Sequence, residues 1–194
     1  RPAQLEPGKK YPVVMFVLGP IWVLVIGQRL VTRGMRPRLR HSVLGTDLSL
    51  ALVIGGLCWL VGWREFLLVQ GPPLLIAGAV GIWLFYVQHQ FEDTYWAQGA
   101  EWDYATAAVE GSSFYRLPRV LNWFTGSIGF HHVHHLSPKI PNYLLRQAHE
   151  ENQLFQRAKV LTMRESIRTF SLKLWDEESR KLIGWRDLRR KLSA

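Results

Sequence analysis

Three long apolar runs fill the first 90 residues, and they read as membrane segments. Segment A runs from about Pro12 to Leu30, segment B from about Leu48 to Trp63, and segment C from about Phe66 to Gln88. A bilayer-spanning helix needs about 20 mostly apolar residues. Segment C has that length, and segment B reaches it when Thr46 to Phe66 is counted, with Arg64 snorkelling at its end. Segment A is long enough but carries Gly19-Pro20, a helix breaker, in its middle. The last 100 residues are mixed and polar, so the averages of 48% hydrophobic and 20% charged residues conceal two regions. A length of 194 residues suits one domain, 1–194.

Charge sets the expected topology. The formal net charge is +9, from 24 Lys+Arg against 15 Asp+Glu. The basic residues flank apolar segments, which points to an anionic membrane surface and not to nucleic acid. Lys9 and Lys10 precede segment A, and Arg29, Arg33, Arg36, Arg38 and Arg40 follow it. Positive short loops mark the cytoplasmic side. Segment A (12–30) is therefore expected to dip into the membrane or lie along its interface. Segments B and C (46–66 and 66–88) then form a transmembrane hairpin, with Gly62-Trp63-Arg64-Glu65 turning on the far side. The alternative is that A spans normally and the charges are scatter. The single cysteine, Cys58, lies inside segment B, so no intramolecular disulfide is possible and a thiolate metal site is disfavoured. The chain starts at Arg1 with no secretory pattern, and it is read as a piece of a longer protein.

Residues 89–194 are expected to form a cytoplasmic cap and C-terminal tail. Helices are expected over 89–110, over 115–136 with Pro118 in the first turn, over 143–153, and over 163–171 behind a Thr162…Glu165 capping box. Leu172–Trp175 and Lys181–Ile183 read as a small hairpin. The expected class is thus mainly α: an integral membrane helical protein with a transmembrane hairpin, an interfacial or re-entrant segment, and a helical cap bearing a histidine box.

That box is His131-His132-Val133-His134-His135, four of the seven histidines within five residues. On a helix, positions i, i+3 and i+4 share a face, so His131, His134 and His135 point together. His132 points about 100° away, which leaves it to support the others or face the surface. Imidazole suits Fe, Zn, Cu and Ni. A tag-like surface cluster is the plainer reading, but the string is internal and interrupted by Val133. His89 ends segment C on the same expected side. Glu92 and Asp93 follow it, and Glu101-Trp102-Asp103 lies further on, with acids able to orient ligand histidines. His41, among arginines, is expected to face lipid phosphates, and His149 to sit on a solvated helix or its cap.

A histidine-only cluster beside membrane segments suits a lipophilic substrate. An inert methylene offers no acid–base handle, so breaking its C–H bond needs an oxidant made from O2 at a redox metal. A zinc-dependent membrane hydrolase also uses histidines, but four clustered residues plus His89 exceed one tetrahedral zinc. The excess favours two metals or an expanded site. A non-enzymatic membrane scaffold is the remaining class.

Several stretches together resemble one known family. They are Phe85-Tyr86-Val87-Gln88-His89-Gln90-Phe91-Glu92, Glu101-Trp102-Asp103, Gly111-Ser112-Ser113-Phe114-Tyr115 and, most specific, Gly129 through the box to Leu136-Ser137-Pro138-Lys139-Ile140-Pro141-Asn142-Tyr143. Weaker matches are Val14-Met15-Phe16-Val17-Leu18-Gly19-Pro20 and Leu174-Trp175-Asp176-Glu177. The chain resembles the bacterial acyl-lipid fatty-acid desaturases of the membrane histidine-box superfamily. The resemblance implies two iron ions held by histidines. It maps metal ligation onto His89, His131, His134 and His135, with Glu92, Asp103 and His132 as supporting residues behind them.

It also implies O2 as co-substrate, a lipid-linked fatty-acyl substrate, an electron donor such as ferredoxin, membrane lipids as surroundings, and a bacterial cytoplasmic membrane with the histidines on the cytoplasmic side. The product is a carbon–carbon double bond. The family's first two boxes, His-x-x-x-His and His-x-x-His-His, do not occur in this chain. The match is therefore to the C-terminal part, and the chain alone is expected to be inactive. Lipid hydroxylases and other oxygenases of the same superfamily are the nearest alternative reading.

Overall fold

The computed structural model describes residues 14–97 and 99–193. Lys9, Lys10 and the first residues of segment A lie outside the described residues. The chain divides into two compact units, one ending at Trp83 and one beginning at Leu84.

In the first unit, segment A is helical but irregular. Wide π-type turns cover Val14–Leu18 and Ile21–Ile26, and a tight turn covers Gly27–Arg29. Pro20 has no N–H to give, so a regular α ladder cannot run through the middle of this segment. Helix α1 covers Pro37–Val61 and α2 covers Trp63–His89. Helix α1 begins well before the expected start of segment B, because Pro37 at its first position is pre-set for helix and costs no hydrogen bond there. Arg38, Arg40 and His41 are thereby helical residues and not loop.

At 25 and 27 residues, both helices are long and apolar enough to cross a membrane. Twenty-five residues give about 38 Å of helix against about 30 Å of hydrocarbon. No residue of α1 is buried. The break between the helices is the single residue Gly62, at φ 94°, where a Cβ would run into the Glu65 carboxylate. Helix α2 continues through Pro72-Pro73.

In the second unit, the expected helix over 89–110 is cut. Helix α2 stops at His89 and the chain turns at Phe91–Asp93 before α3 (Tyr104–Glu110) starts. Asp103 sets where the new helix starts: its carboxylate accepts the Thr106 N–H at 2.7 Å. The expected helix over 115–136 is also cut. Residues Phe114–Arg116 form strand β1, Arg119–Phe124 form α4, and Ser127 takes a left-handed conformation at φ 58°. Only then does α5 (His131–Leu136) begin.

Helix α6 (Leu145–Glu151) leads to β2 (Val160–Thr162), which pairs in parallel with β1, Tyr115 opposite Leu161. Helix α7 (Met163–Arg168) starts with the expected capping box. The expected hairpin is present as β3 (Leu172–Asp176) and β4 (Lys181–Gly184), antiparallel, followed by α8 (Trp185–Ser193). Val109, Phe130, Val133, Leu145, Phe155 and Ala158 form the core of this unit, with Phe114 packed against it.

Candidate metal centre

The centre is assembled from the last residue of α2 and one face of α5. Helix α5 is only six residues long and has no side-chain cap, so tertiary contacts must hold it. Val133 is fully buried in the core and anchors its inner face. Gly129, just before it, passes so close to β1 that a Cβ would lie 2.5 Å from the Tyr115 carbonyl. At its far end, the Tyr104 hydroxyl donates to the carbonyls of His135 (3.0 Å) and Leu136 (3.2 Å). A glutamine ties the two ligand-bearing elements together. The buried Gln88 amide donates to the Ile128 carbonyl at 2.8 Å, and the Ser113 N–H donates to the Gln88 carbonyl at 2.9 Å.

Three imidazole nitrogens converge. The Nε2 atoms of His89 and His131 are 3.0 Å apart, those of His131 and His135 are 3.0 Å apart, and those of His135 and His89 are 3.2 Å apart. Hydrogen bonding does not account for such a triangle. Each ring nitrogen offers one proton or one lone pair, along one direction, and cannot satisfy two neighbours. A shared cation does account for it. With metal–nitrogen bonds of about 2.1 Å, cis positions on an octahedron are about 3.0 Å apart and tetrahedral positions about 3.4 Å. The observed spacing fits three ligands on one octahedral face.

The protonation states fit as well. His89 Nδ1 lies 3.2 Å from the Gly111 carbonyl, and donation to that oxygen leaves Nε2 with a free lone pair. Burial, reinforced by its neighbours His135 and His89, pushes the His131 imidazole down to about 3. Burial also lowers His135, with His89 and His134 adding to it. Both are therefore neutral at pH 7, the form that binds metal.

His134 lies outside the triangle. Its ring is 5.9 Å from that of His131 and 6.3 Å from that of His135, and it is partly exposed. The i, i+3, i+4 spacing thus places all three box histidines near one another, but only His131 and His135 share the convergence with His89. His132 is fully buried on the opposite side, its Nε2 2.9 Å from His149 Nδ1. Phe114, Phe130 and Phe155 surround this pair.

His149 is accordingly not the solvated residue expected from its polar neighbours. Glu150 and Glu151 face out toward Arg146 and Gln147, while His149 turns into the core. The structure directs the other two supporting candidates elsewhere. Asp103 caps α3, and the exposed Glu92 carboxylate lies 3.5 Å from Lys181. The groups that do support the triangle, the Gly111 carbonyl and the Gln88 amide, escaped the sequence reading. A usable signal existed, since amide side chains flank His89 on both sides at the end of an apolar run.

Comparison with known proteins shows the family. The profile described as fatty acid desaturase matches residues 5–166. A fatty acid desaturase of Bacillus subtilis (strain 168) is 46% identical over 178 residues, which is 92% of this chain and 51% of that protein. An endoplasmic-reticulum omega-3 fatty acid desaturase of Nicotiana tabacum is 31% identical over 121 residues, 58% of this chain and 31% of its own length. An sn-1 acyl-lipid omega-3 desaturase (ferredoxin) of Synechocystis is 29% identical over 121 residues, 59% of this chain and 32% of its own length. The chain therefore spans about half the length of the Bacillus relative and about a third of the other two. The match over 5–166 covers most of these 194 residues, and the chain belongs to the fatty acid desaturase family.

Proposed function

We propose that the longer protein containing this chain introduces a double bond into a lipid-linked fatty-acyl chain, in an O2-dependent reaction at a histidine-ligated di-iron centre. The observation that carries this reading is the triangle of Nε2 atoms at 3.0, 3.0 and 3.2 Å. His89, His131 and His135 hold one iron. His134, beside the triangle but outside it, serves the second, together with histidines of the rest of the protein. Bound iron supplies the O2 activation needed to remove two hydrogens from adjacent methylenes.

The chain's own residues hold and shield that site. His89 is fixed by the Gly111 carbonyl, and α5 is fixed at its two ends by Gly129 and Tyr104. The exposed ring of Phe85, 4.8 Å from that of His89, offers an acyl chain an apolar contact next to the metal-facing nitrogens. Helices α1 and α2 cross the bilayer, with Gly62 on the far side and the arginines around Pro37 on the cytoplasmic side with the histidines. Residues 14–29 lie at the interface, and 89–194 form the cytoplasmic cap. A donor such as ferredoxin supplies electrons, and a lipid carries the acyl chain. The 194-residue chain alone, with part of the ligand set, does not turn over.

The test is expression of the longer protein in a host lacking desaturase, with fatty acids profiled by gas chromatography–mass spectrometry. A new unsaturated species, lost on His135→Ala and on His134→Ala, is expected. A hydroxylated product would keep the site and overturn the reaction. Zinc instead of iron in the active protein would overturn both.

A further inference from the structure

The residues that follow the family-matched stretch pack against the residues on either side of His89. Helix α2 ends at His89 with nothing to continue it, and helix ends fray unless held. Its last turn is held from the C-terminal side. The Tyr86 hydroxyl, buried, donates to the Thr169 carbonyl at 3.2 Å, and its ring stacks on Phe170 at 5.7 Å. The Gln90 amide, also buried, donates to the Leu172 carbonyl at 3.1 Å. One turn further on, the Leu182 N–H donates to the Glu92 carbonyl at 2.9 Å. Lys181 and Lys159 then close on the Asp93 carboxylate at 2.9 and 2.8 Å. Residues 86, 90, 92 and 93 bracket His89, and all four are tied to residues beyond 166, where the family match ends.

We infer that the segment 169–182 is a clasp whose role is to aim His89 at His131 and His135, with Gln90 and Tyr86 as the positioning residues that transmit it. This rests on the metal reading given above. The clasp is built for position more than for strength. Its bonds reach the backbone carbonyl of Leu172, held in the β3–β4 pairing, and that of Thr169 in the short helical turn just before β3, so the helix end is referenced to backbone of fixed structure. Gln88, from the opposite side, references the same residue to the turn before α5. A histidine held on both sides keeps its nitrogen within the few tenths of an ångström that a three-ligand face requires.

The test uses the full 194-residue chain in detergent micelles, titrated with Co2+ and followed by its visible ligand-field bands. Gln90→Leu and Tyr86→Phe are expected to weaken Co2+ binding roughly tenfold and to shift those bands, as changes to groups supporting a metal ligand do. Leu117→Ala, a buried truncation outside the clasp, is the control and is expected to lower the melting temperature while leaving affinity and spectrum unchanged. Unchanged Co2+ affinity and spectrum in both clasp variants would overturn the clasp. So would an equal loss of affinity in Leu117→Ala, because the effect would then be general loosening. Absence of Co2+ binding by the unsubstituted chain would overturn the metal site itself, and the clasp with it.

Discussion

The two units of this chain treat their side chains in opposite ways. In α1, Leu52 is 68% and Trp59 84% exposed, and nothing is buried. In the second unit, Gln88, Ser113 and His132 are fully buried alongside Val133. A helix that shows large apolar groups all round its circumference is suited to a surrounding as apolar as itself. A unit that buries amides and imidazoles gains where it pairs them, and here two such pairings build the site, although Gln88 Oε1, Ser113 Oγ and His132 Nδ1 have no hydrogen-bond partner among the described residues. Gln88 and Gln90 are buried because carbonyls await them, and those bonds set where His89 points. In the first unit the sequence serves the solvent, and in the second it serves a position in space.

The largest expected effect lies inside the second unit. His135→Ala removes one corner of the nitrogen triangle, and Co2+ affinity of the chain is expected to fall by more than about 100-fold, beyond the 10–100-fold typical of supporting groups. Thermal unfolding of the metal-free chain should be little changed, since His135 is exposed. A loss below about tenfold would mean that the convergence is a packing feature and not a ligand set.

Next comes a pair of identical truncations, one in each unit. Leu145→Ala, at a site 2% exposed in the core, is expected to cost about 2–5 kcal/mol. Leu60→Ala, at a site 70% exposed on α1, is expected to stay within about 0.5 kcal/mol in micelles. Chemical denaturation of the two variants checks both. An equal cost at Leu60 would show that α1 is covered by protein, and the contrast between the units would collapse.

How far could the sequence alone be read? The apolar runs were legible because bilayer thickness imposes a length that no packing detail alters. The box was legible because 3.6 residues per turn is local geometry, and it placed His131 and His135 on one face. Assignment of His134 was not, since whether a neighbour on that face joins the same convergence depends on where His89 arrives from. The breaks at 90–103 and 117–130 were missed for a related reason. Asp103 starts a new helix through one carboxylate bond and Ser127 breaks the chain direction through one left-handed residue, signals weaker than the apolar periodicity around them. The hairpin and the capping box were found, being local in sequence. His149 was lost because its burial depends on His132, Phe114 and Phe130, all distant in sequence.

That buried histidine pair predicts an acid weakness confined to the second unit. Burial pushes His132 down to about 3, with His149 adding to it, and burial likewise lowers His149. The unfolded chain takes up protons below about pH 6.5 while the folded pair does not. The folded state is therefore fully favoured above about 6.5 and loses stability as pH falls toward 3, by up to about 1.4 kcal/mol per pH unit for each such group. The urea midpoint of the metal-free chain should drop between pH 7.5 and 5.0, and the drop should shrink in a His132→Leu/His149→Leu double variant. Far-ultraviolet signal from α1 and α2 should persist through it. A midpoint flat across that range would mean that the pair is hydrated in solution.

The smallest effect separates the units by how their helices begin. Helix α7 is six residues long, too short to persist by itself, and it depends on its capping box. The Thr162 hydroxyl accepts the Glu165 N–H at 3.3 Å, and the Glu165 carboxylate accepts the Thr162 N–H at 2.8 Å. Those donors hold the Glu165 carboxyl below its usual range. Helix α1, with 25 residues, starts at Arg36 with no side-chain cap at all. Thr162→Ala is expected to cost about 1 kcal/mol in the unfolding of the second unit. Arg36→Ala should shift it by no more than a few tenths, because α1 loses no cap and a helix of that length in lipid or detergent loses little when one end frays. If the two substitutions cost the same, end contacts matter equally in both units, and the lipid-facing helices owe their stability to more than the solvent around them.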